Sequence, residues 1–202
     1  MGTAQYPRTM SHAIARAVSI FGHPMLVLPL AALVLLLLRG QQQLAWWMAL
    51  GFSGFAAVVM GYSAWQVRRG RWAHVDASGK QERSSLNRFL LVLLLLSALG
   101  AWLAQAAEPA IGLALSAAMV VTAMATSRWC KLSLHMAFVV FAAVLLGHAA
   151  WWLGLASLLF AGAVGWSRLR LQRHVPRDLV AGALTGALAG IACVALLAPG
   201  VS

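Results

Sequence analysis

Ser167-Arg168-Leu169-Arg170-Leu171-Gln172-Arg173-His174-Val175-Pro176-Arg177-Asp178 puts a histidine, a carboxylate and four arginines into one short stretch. Pro176 suits the first turn of a helix, where its missing N–H costs nothing. His174 then lies just before that helix and Asp178 in its first turns. A spacing of four lets the Asp178 carboxylate reach back to one ring nitrogen of His174. That contact would fix the tautomer and free the other nitrogen to attack. The helix N-terminus and the arginines would attract a phosphate, so the arrangement would suit attack by a histidine on a bound phosphate. Asp178 is one of only four acidic residues in the chain, and acids at the mouth of an apolar run are costly and usually functional. The plainer alternative is a juxtamembrane basic loop with an incidental histidine and a capping aspartate.

Such a stretch needs a scaffold, and the composition says which. The 202 residues are 62% hydrophobic and 9% charged, against about 25% charged in a soluble domain. Lipid must be the solvent, and the fold class is an all-α polytopic transmembrane bundle forming a single domain. A helix needs about 20 apolar residues to cross the bilayer core. The runs that qualify are 19–38, 44–66, 88–107, 109–126, 134–150, 151–166 and 179–198, preceded by an N-terminal tail, 1–18. That gives about six to seven spans. The fifth and sixth share one apolar stretch, divided at Gly147-His148-Ala149-Ala150-Trp151-Trp152, where glycine, histidine and paired tryptophans suggest an interfacial turn. The first apolar run is followed by nothing like a small-residue cleavage site and reads as retained.

The connections alternate in charge. The tail, loops 67–87, 127–133 and 167–178, and Arg88 at the adjoining end of the third run hold every Lys and Arg except Arg39, which lies across the membrane. Setting aside the candidate phosphate ligands leaves a large excess, so this side is expected in the cytoplasm. The net charge of +11 therefore reads as topology and anion binding, not nucleic-acid binding. Gly182, Gly186 and Gly190 form a small-residue face for close helix packing, within the bundle in preference to dimerisation, with oligomeric state open. Cys130 and Cys193 form no spacing motif and read as small apolar groups.

The 167–178 stretch resembles the third signature, S-R-x5-H-x3-D, of the type-2 phosphatidic acid phosphatase superfamily, and matches all four fixed positions. Members of that family are membrane helical bundles that hydrolyse lipid phosphates and diphosphates without metal. The resemblance implies that His174 is the nucleophile, that Asp178 orients it and that Arg168 holds phosphate oxygens. The family's second signature, P-S-G-H, is similar to Lys131-Leu132-Ser133-Leu134-His135, which keeps serine and histidine but lacks proline and glycine. It looks like the K-x-S-x-H form of a divergent bacterial branch. His135 is thereby implied as general acid for the leaving group and then base for water. Ser133 is implied as a hydrogen-bond donor to phosphate, with Lys131 adding charge.

The first signature, K-x6-R-P, is absent. Asp76-Ala77-Ser78-Gly79-Lys80-Gln81-Glu82-Arg83 stands there, similar to the branch in a basic residue followed by Glu-Arg. Lys80 and Arg83 are carried over as phosphate ligands, with Arg88 a rival to Arg83 and a solvated charged loop the plain alternative. Phe21-Gly22-His23-Pro24 also looks like that branch, but His23 receives no catalytic role. His148 falls on the opposite face, and His12 and His74 are in no motif.

The chain contains no His-Glu-x-x-His, cysteine pair or carboxylate cluster for a metal, and no Gly-rich loop ending in Lys-Ser or Lys-Thr for a nucleotide. No cofactor is expected. The resulting expectation is a multi-pass cell-membrane (inner-membrane) phosphatase. Its active site faces the cytoplasm, and its partner is a lipid phosphate or diphosphate held within the bilayer. A lipid-to-lipid phosphotransferase would use the same residues. A transporter would carry charged groups near the midplane, and these spans are nearly bare of them. An inactive helper is disfavoured by the intact His135, His174 and Asp178.

Overall fold

The computed structural model describes residues 10–73 and 79–198, with Lys80 described by its backbone alone. Among these residues the chain is helical and has no strand. In chain order the helices are α1 (Met10–Phe21), α2 (Pro24–Leu38), α3 (Gln42–Arg68), α4 (Lys80–Leu103), α5 (Ala107–Ala125), α6 (Leu134–Ala149), α7 (Trp151–Arg170) and α8 (Pro176–Leu197), with a single 3₁₀ turn, Thr126–Arg128, after α5. Five of them, α3, α4, α5, α7 and α8, are long and apolar enough to cross a membrane. The protein is thus an all-α membrane bundle.

The span expected over 19–38 is in fact two helices. α1 and α2 meet at a bend of 56°, and counted as one broken span they would make a sixth crossing. The cause is local. The residue before a proline is pushed out of the helical region, and His23 is extended at φ −68°, ψ 135°. Pro24 then restarts the chain at the first position of α2. The tail expected over 1–18 is likewise corrected, since it is helical from Met10 onward. Apolar run-length overlooked α1 because that helix is two-faced. Ala15 and Ser19 are buried while Met10, Ile14 and Phe21 are exposed.

Other boundaries shift for the same reason: hydropathy marks the lipid-crossing part of a helix and misses its polar ends. α4 begins at Lys80 rather than 88, because Glu82 caps it by accepting from the N–H groups of Gly79 and Ala73, each at 2.8 Å. The turn expected between 147 and 152 is present at Ala150, which is extended at φ −156°. α6, with 16 residues, is shorter than the five long helices.

α6 stands at the centre, packed on α2, α7 and α8. Its middle, Ala137 to Ala143, is buried throughout. The glycine face of α8 makes this possible. A Cβ on Gly182 would lie 2.5 Å from the Ser133 carbonyl oxygen, and one on Gly186 would collide with the Ala137 carbonyl. A Cβ on Gly190 would lie 2.6 Å from Val144 Cβ. The stripe therefore packs α8 on α6 within one chain. Lipid offers no hydrophobic drive between helices, so close van der Waals contact of this kind is what holds them. At the far end, Arg39 after α2 and Glu108 on α5 form a partly exposed ion pair at 2.6 Å. At the near end, Tyr62 of α3 stacks on Phe89 of α4 at 3.9 Å and hydrogen-bonds Ser85 at 2.9 Å, which fixes the first turns of α4. The end away from Arg39 and Glu108 thus gathers His23, the start of α4, the α5–α6 loop and the α7–α8 turn.

Candidate active site

The turn between α7 and α8 is braced by backbone hydrogen bonds. Gln172 takes a left-handed conformation, φ 52°, which costs a non-glycine residue roughly 1–2 kcal/mol. In return, Gln172 N–H donates to the Leu169 carbonyl at 2.9 Å and Arg173 N–H to the Arg168 carbonyl at 3.0 Å. Those bonds satisfy the orphan carbonyls of the helix end and turn Arg173 and His174 back toward Arg168. Val175 is extended before Pro176, and its N–H is capped by Asp178 Oδ2 at 3.2 Å.

Asp178 ties two loops together. Its Oδ1 accepts from Lys131 N–H at 3.2 Å and from the Cys130 thiol at 3.3 Å, while its backbone carbonyl accepts from Ser133 N–H at 3.1 Å. The side chain is almost wholly buried, and Arg177 Nε stands 3.8 Å from Oδ1. His174 Nδ1 lies 3.4 Å from Asp178 Oδ2 but only 3.0 Å from the Lys131 carbonyl oxygen. A carbonyl can only accept, so Nδ1 carries the proton and Nε2 keeps its lone pair. The expected tautomer control is thus shared: Lys131 supplies the hydrogen bond, and Asp178 holds the Lys131 backbone in place and sets a negative charge beside the ring.

The imidazole stays neutral. Burial, followed by the charges of Arg168 and Lys131, lowers the His174 pKa to about 4, against the opposing pull of Asp178. Burial also lowers the Lys131 amine, with Arg83 and Arg168 adding repulsion.

His174 opens onto a cavity of about 670 Å³. One end is lined by Arg83, Lys131, His135, Arg168, Arg173 and His174, and the other by apolar side chains such as Leu28, Phe52, Phe55, Leu94, Val120 and Phe138. Arg168 donates from Nη1 to Ser19 Oγ at 2.8 Å, whereas its buried Nε–H has no partner. Lys131 Nζ donates to the Arg173 carbonyl at 2.7 Å. An unpartnered guanidinium N–H among several cations is a ready anion site.

The structure therefore brings His174, His135, Asp178, Arg168, Lys131 and Arg83 to one place. Ser133 stands differently from what the resemblance implies. It is fully buried, its Oγ caps α6 by accepting from Met136 N–H at 3.4 Å, and it does not line the cavity. A hydroxyl committed to a helix end serves the backbone first. Ser167 is buried too, donating to the Val164 carbonyl at 2.7 Å. Lys80 opens α4, and its side chain lies outside the described residues, as do His74 and Asp76. Arg88 faces a separate recess of about 380 Å³ with Gln66 and Arg71, so Arg83 is the arginine of α4 at the cavity.

Sequence reasoning missed His23. It lines the cavity, with its ring edge-on to that of His135 at 5.1 Å between centroids. The available signal was the Gly-His-Pro break, which forces a helix start and therefore a cap. Among the described residues no group of three or more His, Cys, Asp or Glu side chains is arranged to hold a metal ion. The chain matches no family model, no curated protein and no solved structure.

Proposed function

We propose that this protein is an integral membrane phosphatase acting on lipid phosphates or diphosphates through a phosphohistidine intermediate, as a divergent member of the type-2 phosphatidic acid phosphatase superfamily. The observation that carries the reading is the cavity itself: cations and a neutral, correctly tautomerised histidine at one end, hydrocarbon-lined walls at the other.

A phosphate ester resists hydrolysis in water because anionic oxygens repel the nucleophile, and spreading positive charge around the phosphoryl group is the main remedy. Arg168, with a free Nε–H, together with Lys131 and Arg83, does this. His174 Nε2 attacks phosphorus in line. The bond to the leaving oxygen breaks, and His135, which takes up a proton when the anionic substrate binds beside it, supplies the proton that oxygen needs. The phosphorylated imidazole carries positive charge that the Asp178 carboxylate offsets. Water, deprotonated by His135, then attacks phosphorus. The N–P bond breaks, inorganic phosphate leaves, and both histidines return to their starting states. Burying the lipid tail in the apolar part of the cavity places the head between the loops and lowers the entropy cost of attack.

The test is phosphate release by purified protein in detergent from farnesyl diphosphate, phosphatidic acid and phosphatidylglycerol phosphate, with His174→Ala as the blank. Turnover of at least one, absent from the blank, supports the reading. Release from none, or equal release by the blank, sinks it.

A further inference from the structure

Among the described residues, His23 is the one histidine at the cavity that the mechanism above does not use. Three observations define it. Its Nδ1 accepts from Met25 N–H at 3.2 Å, so it caps α2. It lines the cavity beside His135, edge to face at 5.1 Å. Its position is fixed on both flanks. Gly22 packs so closely on Val164 of α7 that a Cβ there would collide with it, and Pro24 locks the first turn of α2. Four residues upstream, Ser19 accepts from Arg168, so the segment carrying His23 also holds the phosphate-binding arginine.

The cap settles the proton. A nitrogen that accepts from a backbone N–H has its lone pair there, so neutral His23 carries its hydrogen on Nε2. A second proton would break the cap and place a cation at the positive end of the α2 dipole. His23 is therefore a fixed neutral donor with one N–H to give, and it is unsuited to act as a base.

We propose that His23 is a substrate-contacting residue whose Nε2–H donates to an oxygen of the phosphoryl group attacked by His174. This rests on the phosphatase reading. Loss of one preorganised donor of this kind typically costs about 10²–10³-fold in kcat, and that is the loss expected for His23→Ala.

Two substitutions separate donation from capping. In His23→Gln the amide N–H₂ reaches the place of Nε2, while the cap is lost. In His23→Asn the short side chain keeps an acceptor for the cap, while the donor is withdrawn. The readouts are phosphate release from farnesyl diphosphate and dioctanoyl phosphatidic acid, and thermal stabilisation by orthovanadate, a phosphoryl mimic that needs no turnover. His23→Gln is expected to keep at least about a tenth of wild-type kcat and its vanadate stabilisation, with His23→Asn losing both by about 10²-fold. Activity that follows the cap instead, or survives in both variants, or is lost in both, overturns the proposal. His174→Ala is run alongside. If it stays active, the phosphatase mechanism has failed; if it is dead while both His23 variants are active, only the role of His23 has.

Discussion

Asp178→Asn probes the densest knot in the structure. The carboxylate accepts from Lys131 N–H at 3.2 Å and the Cys130 thiol at 3.3 Å on one oxygen, and from Val175 N–H at 3.2 Å on the other, with His174 Nδ1 at 3.4 Å. Every one of these neighbours is a donor. An amide keeps one acceptor and turns a second donor group toward them, so either the Val175 and His174 side or the Lys131 and Cys130 side loses its partner. Hydrogen bonds to a charged group are worth about 1.5–3 kcal/mol, and neutral ones about half that. Losing one backbone bond and weakening the other should cost on the order of 2–4 kcal/mol of stability. Activity should fall further than stability. The negative charge beside the phosphohistidine disappears, and the Lys131 carbonyl that fixes the tautomer loses its anchor. By analogy with the serine-protease triad, loss of the orienting acid costs about 10⁴-fold in kcat. The assay is single-turnover phosphate release by folded, monodisperse protein in detergent, with thermal unfolding measured on the same sample. A variant within tenfold of wild-type kcat and with an unchanged unfolding midpoint would refute this account of Asp178.

Gly186→Leu should destabilise the protein, because even a Cβ collides with the Ala137 carbonyl and overpacking typically costs about 1–3 kcal/mol; an unchanged unfolding midpoint would contradict the α6–α8 packing. The acid limb of kcat/KM should fall near the His174 pKa of about 4. The folded pKa lies below the unfolded value of about 6.5, so the unfolded chain takes up the proton first and stability declines as pH drops through that window. An acid limb centred at 6.5 would argue against His174 as the attacking nucleophile. The basic residues gathered at the cavity end predict that the cavity faces the cytoplasm. With Cys130 and Cys193 changed to serine, an impermeant thiol reagent on intact cells should label a cysteine at Gln42 but not at Arg128. The reverse pattern would put the cavity outside.

Much of this was legible in advance because membrane folds are written in run-length. The turn at Ala150 and the glycine face of α8 were readable, since a bilayer fixes span length and only small residues let helices touch. The break at His23 was not read, because run-length counts Gly22, His23 and Pro24 as a brief lapse in an apolar stretch, whereas proline geometry makes them a joint. α1 was invisible for the opposite reason: polar residues interrupt its apolar ones along a two-faced helix, so no long apolar run forms. At the cavity, local spacing set Asp178 near His174, one turn apart. Spacing could not show that the nearest acceptor to Nδ1 is the Lys131 carbonyl, 43 residues away. Nor could it show that Ser133 spends its hydroxyl on a helix cap, or that Arg83 and Arg88, five positions apart on α4, face different recesses.

The central claim is that His174 carries the phosphoryl group. It is tested by incubating wild-type protein and His174→Ala with ³²P-labelled farnesyl diphosphate and phosphatidic acid, quenching in alkali, where phosphohistidine survives, and locating the label by peptide mass spectrometry. The account predicts label on His174 in the wild type, and neither label nor phosphate release in the variant. Near-wild-type phosphate release by purified, folded His174→Ala would contradict it.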